Sequence, residues 1–124
     1  PSQSSGDPRG AHYTRYYAGM RDTYLATVQN KNICFTELGY LSAQGINLPG
    51  SFAWAAGTDN QKQATWLSEA LSFGARDSRI ALTVIWNLDF DAMVGQDPQN
   101  GFAIMKQGGA CPACSTIKST LSGL

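Results

Sequence analysis

Two short apolar runs constrain this chain more than anything else in it. Ile33-Cys34-Phe35-Thr36 and the stretch 80–86 (IALTVIW) are rich in β-branched and aromatic residues, with almost no polar interruption. Such runs read as strands buried on both faces, the pattern of a parallel sheet. Between them, residues 58–73 place Ala64, Leu67, Ala70 and Leu71 at helical spacing, with Trp66 and Phe73 at the edges of the stripe. Thr58 or Asp59 is suited to cap this helix, and Gly74 to end it. Strand, helix and strand in this order form a βαβ unit with parallel strands.

Each run ends in residues that can carry chemistry. Glu37 follows the first at once, and Gly39 lets the chain turn sharply after it. The second ends in Trp86-Asn87-Leu88-Asp89-Phe90-Asp91. The C-terminal ends of parallel strands are where α/β barrels build their sites. A solvated strand-end carboxylate is the plain alternative for Glu37. Upstream, residues 12–29 predict one amphipathic helix with Tyr13, Tyr17, Met20, Tyr24 and Val28 on its apolar side. Its tyrosine stripe reads as core in preference to a sugar platform. The turn at Asn30-Lys31-Asn32 ends it.

The remaining stretches read as loops with anchors. Residues 1–11 are Ser-, Gly- and Pro-rich; Arg9 there either approaches a ligand or lies on a solvated loop. Residues 41–57 hold Gly45, Pro49 and Gly50, which argue against one continuous element, and a loop of this length is often functional. Its Phe52 and Trp54 either stack on a sugar ring or cover a rim. Residues 102–105 (FAIM) predict a short strand or an apolar anchor, and 115–122 a terminal helix.

Composition narrows the function classes. With 124 residues and 43% hydrophobic content, the chain can bury a core. A formal net charge of zero gives no electrostatic footprint for nucleic acid. No apolar stretch approaches the roughly 20 residues of a membrane span. Cys111 and Cys114 stand as Cys-Pro-Ala-Cys, a spacing open to half a zinc site, a redox pair, a local disulfide or two free thiols. The one histidine, His12, is remote in sequence, so no metal set is assigned and no cofactor is expected. Cys34, inside the first strand, is expected to be buried.

Two parallel strands cannot close a barrel or cover both faces of a sheet, so the chain is expected to be part of a larger α/β protein. The residues Phe-Thr-Glu-Leu-Gly-Tyr at 35–40 and Val-Ile-Trp-Asn-Leu-Asp-Phe at 84–90 resemble the C-terminal part of retaining glycoside hydrolases. These are (β/α)8, or TIM-barrel, enzymes of the cellulase-like and β-xylosidase-like clan. The resemblance runs from about residue 12 to residue 114. It is similar also to bacterial members whose tails read Asp-Pro-Gln-x-Gly-Phe/Tyr-Ala-Ile and then Cys-Pro-x-Cys, as 97–104 and 111–114 do.

That resemblance implies the fold of barrel strands seven and eight, with 92–124 as a C-terminal loop and tail. It implies that Glu37 is the nucleophile and that Trp86 floors the sugar subsite. Tyr40, Asn87, Asp89 and Trp54 are the further candidates for binding a carbohydrate substrate, while Asp91 reads better as a loop cap. The acid/base Glu of the clan has no counterpart: the only other Glu, Glu69, lies mid-helix between Lys62 and Arg76. It is expected in the missing N-terminal part of the barrel, which is the chain's implied partner. The resemblance implies a secreted or cell-envelope location. Retaining hydrolysis needs two carboxyl groups about 5–5.5 Å apart. A non-catalytic carbohydrate-binding or envelope protein on the same barrel is the alternative, and a redox or metal module at Cys111 and Cys114 a third.

Overall fold

The computed structural model describes residues 12–90 and 97–124, so Arg9 and Asp91 lie outside the described residues. A 3-10 turn, Tyr13–Arg15, precedes helix α1, Tyr17–Thr27. Strand β1, Ile33–Leu38, follows, then a loop holding a second 3-10 turn, Gly50–Ala55. Helix α2, Asn60–Arg76, leads to strand β2, Ile80–Ile85. Two 3-10 turns, Pro98–Phe102 and Gln107–Gly109, come before helix α3, Cys114–Ser122. The protein is therefore mixed α/β, and β1 and β2 form a parallel two-stranded sheet, as the βαβ pattern predicts.

Helix α2 holds this arrangement together. Asp59 caps it by accepting from the Lys62 N–H at 2.7 Å. Ala64, Leu67, Ala70 and Leu71 are buried against Ile33, Phe35 and Leu38 of β1, as the helical spacing predicts. The helix does not end at Gly74 but runs on to Arg76. Gly74 lies where α2 presses on β2: a Cβ there would stand 3.1 Å from the Thr83 hydroxyl. Close packing, and not a turn, explains this glycine.

The predicted helix over 12–29 is broken. His12 engages Thr14 and stops the first turn, and Tyr16 adopts an extended backbone as the N-cap of α1. Of the aromatic stripe, Tyr17 alone is buried, against Phe35 and Phe73 at centroid distances of 5.5 and 5.7 Å. Tyr13, Tyr24 and Val28 remain exposed. The chain reverses at Asn30, whose φ of 59° lies in the left-handed region that Asn tolerates.

Burial on both faces of the strands is not what the structure shows. Ile33, Phe35 and Leu38 face the helices, whereas Cys34, Thr36 and Glu37 are exposed. Cys34 is thus an exposed free thiol, correcting its expected burial. On β2, Leu82 and Val84 are 48% and 43% exposed. Cys34 pairs with Leu82 in register, so these side chains share one open face. Residues 102–105 form no strand; Ala103 and Ile104 are buried as anchors.

Gln63, only 1% exposed, joins three segments. Its Nε2 lies within hydrogen-bond distance of the carbonyls of Tyr40 (2.7 Å), Gly101 (2.9 Å) and Phe102 (3.2 Å). Gln63→Leu is expected to lower the unfolding free energy in urea by about 1–3 kcal/mol, the cost of leaving buried carbonyls unpaired. An unchanged midpoint would show that the amide is dispensable.

The turn between α2 and β2 carries a charge pair. The Arg21 guanidinium bonds the Asp77 carboxylate and holds its pKa below the ordinary value, helped by the Arg79 N–H. The depressed carboxylate stabilises the fold above the ordinary aspartate range. That stability is lost as pH falls, because the unfolded chain takes up the proton first. Asp77→Asn should flatten the stability-against-pH curve below about pH 4; an unaltered curve would contradict this.

Candidate functional site

The ends of the two strands are locked by a close backbone approach. The Trp86 N–H donates to the Leu38 carbonyl at 2.9 Å, one step past the register pair Leu38 and Ile85. A Cβ on Gly39 would stand 2.2 Å from the Trp86 carbonyl oxygen, so only glycine fits. This contact sets Glu37 and Trp86 at the same end of the sheet, one on each strand.

The irregular register between Phe35 and Leu38 returns Leu38 to the buried side and leaves Glu37 on the open side. Trp86, two residues beyond Val84, is 37% exposed, and its indole Nε1 donates to Gln99 Oε1 at 3.5 Å. The peptide between Trp86 and Asn87 is cis. Glu37 and Trp86 are thus both presented to the uncovered face. In the sequence Glu37 directly follows the first apolar run and Trp86 closes the second.

Asn87 is placed differently. It is 6% exposed, and its backbone pairs with Phe102 (3.4 Å) and Ile104 (3.0 Å). Its Nδ2 donates to the Gln99 carbonyl at 3.5 Å, while its Oδ1 is buried with no hydrogen-bond partner. An orphaned buried acceptor of this kind is uncommon in folded proteins. Asp89 is exposed beyond it.

Tyr40 and Trp54 come together elsewhere, at a cleft of about 340 Å³ that Arg15, Trp66 and Phe102 also line. Tyr40 is 6% exposed, and its ring meets that of Trp66 edge-on at 5.8 Å. Burial, with a smaller push from Glu69, raises its pKa, and its hydroxyl has no partner. The side chain is packed in the core, so what Tyr40 offers the cleft is a wall. Trp54 lies on the Gly50–Ala55 turn with Phe52 at 6.0 Å. Sequence reasoning did not bring out Arg15, whose Cζ sits 4.8 Å from the Trp54 ring centroid. Its placement depends on the break at Tyr16, which spacing alone does not reveal.

Cys111 and Cys114 are joined in a disulfide at the start of α3. Among the described residues no cluster of His, Cys, Asp or Glu could hold a metal ion. Among them, too, no helix is long and apolar enough to cross a membrane. Comparison of the chain with protein-family models, with curated proteins and with solved structures gives no match.

Tyr40→Phe removes a hydroxyl that bonds nothing, so stability near pH 7 should hold within about 1 kcal/mol. A raised tyrosine pKa stabilises the fold below the ordinary value near 10 and withdraws that stability above it. The variant should therefore resist alkaline unfolding better than the parent. A loss well above about 1 kcal/mol at neutral pH would show that the hydroxyl is bonded.

Proposed function

We propose that this chain is the C-terminal portion of a retaining glycoside hydrolase with a (β/α)8 barrel, acting on a β-linked glycan. In this reading β1 and β2 are barrel strands seven and eight. The observation that carries it is the position of exposed Glu37 and Trp86 at the C-terminal ends of adjacent parallel strands, beside an uncovered apolar face. Parallel sheets are ordinarily covered on both faces, and Leu82 and Val84 are residue types that fill a barrel interior. The remaining strands of the barrel would cover them.

The chemistry follows from the residue types. Glu37 attacks the anomeric carbon and forms a glycosyl-enzyme ester, while a second carboxyl group protonates the departing oxygen. Water then cleaves the ester, with the second group acting as base. Among the described residues the other glutamate, Glu69, lies on α2 beside Tyr40 and not at a strand end. The acid/base group therefore comes from the part of the barrel that closes the sheet. The Trp86 ring, 37% exposed, offers an apolar surface to the C–H face of the sugar. A location outside the cytoplasm belongs to the same proposal, and the Cys111–Cys114 disulfide is compatible with it.

The test uses the full-length protein and a panel of aryl β-glycosides. Glu37→Gln should lower kcat by several orders of magnitude, since it removes the nucleophile. Added azide should restore part of the turnover and yield the glycosyl azide of inverted configuration. Undiminished activity in the variant would remove Glu37 from the mechanism. Glycan binding without hydrolysis by the parent would instead favour a carbohydrate-binding protein on this fold.

A further inference from the structure

We infer that the cleft between the Tyr13–Arg15 and Gly50–Ala55 turns is a subsite for a sugar that carries a carboxylate, with Arg15 as the residue that pairs with it. This rests on the reading of the chain as part of a glycan-processing barrel, and it names the class of glycan. Gly39 and Tyr40 line the cleft, so it lies at the same end of the sheet as Glu37.

Three features set the ligand chemistry. The first is size: about 340 Å³ falls at the lower end of the range of about 300–1,000 Å³ for small-molecule pockets and suits a single ring. The second is the walls. Trp54, Trp66, Phe102 and Tyr40 are aromatic, as a pyranose with apolar C–H faces requires.

The third is charge. Arg21 pairs with Asp22 and Asp77, and Lys62 approaches Asp59. Arg79 ends on the carbonyls of Lys31 and Val28. Arg15 is half-buried, and among the described residues it has no carboxylate or carbonyl partner; its one neighbour of note is the Trp54 ring. The ring holds the guanidinium in place at the cleft without using its N–H donors.

A neutral sugar in this cleft would cover the guanidinium further and leave its charge uncompensated, which is costly. A carboxylate would accept two parallel N–H bonds from the planar fork, the geometry for which arginine is best suited. A uronic acid has both parts, a pyranose ring and one carboxylate.

The experiment follows tryptophan fluorescence of the full-length protein during titration with methyl β-D-glucuronide and with methyl β-D-glucoside. The glucuronide is expected to bind at least tenfold more tightly, and added salt should weaken it more than the glucoside. Arg15→Gln should bring the two affinities together, while Arg15→Lys keeps part of the preference and controls for folding. Trp54→Ala should weaken both ligands. Equal affinities in the parent, or a preference that survives Arg15→Gln, would overturn the assignment. The titration is repeated in Glu37→Gln, which lies outside the cleft. A retained preference there, alongside a failed hydrolysis assay in the parent, would keep this subsite and reject the catalytic reading.

Discussion

The buried Gln63 amide is the interaction on which this arrangement depends. One NH2 group serves carbonyls on the loop after β1 and on the turn before Ala103. These segments leave the two strands in succession, and no regular ladder connects them. Around the amide, the Ser42 N–H donates to the Gly101 carbonyl at 2.8 Å, and a Cβ on Gly101 would stand 2.8 Å from Leu41 Cγ. The backbone is thus drawn tight at the end of the sheet where Glu37 and Trp86 emerge. Because α2 carries Gln63, the helix that covers the sheet also sets the loops.

The same geometry divides the molecule into a covered side and an open one. Toward α2, the sheet is closed by Ala64, Leu67, Ala70 and Leu71. On the other side, Leu82 and Val84 stand open, and Trp86 continues their row. Parallel sheets are ordinarily covered on both faces, and exposed apolar patches of size mark interaction surfaces. The physical case for a larger barrel rests on this uncovered face. At the C-terminal end of that face stand a carboxylate, Glu37, and an indole, Trp86.

Much of the fold was legible because it is local. The β-branched runs, the Ala-Leu stripe of α2 and the Asp59 cap each follow from spacing or side-chain chemistry, and the parallel pairing follows from their order. The errors have tertiary causes. Gly74 looks like a helix terminator until Thr83 is seen beneath it, and Cys34 looks buried until the open face is known. The helix over 12–29 divides because His12 and Thr14 close a turn of their own. At the candidate site, Glu37 and Trp86 stand out in the sequence at the ends of apolar runs, while their roles come from the resemblance alone. Tyr40 was chosen for its polar group, yet packing against Trp66 turns that group inward. Arg15 does not stand out in the sequence because its contact is with Trp54, a residue distant in the chain.

The measurement that decides the account is covalent trapping of the full-length protein. A panel of 2-deoxy-2-fluoro-β-glycosyl fluorides slows the hydrolysis of a glycosyl-enzyme ester, so the sugar stays on the nucleophile. Digestion and mass spectrometry then locate it. One added glycosyl mass is expected on the peptide containing Glu37, lost in Glu37→Gln and released when an acceptor sugar is supplied. A label on a different carboxylate, or steady hydrolysis of β-glycosides with Glu37 unlabelled, would contradict it.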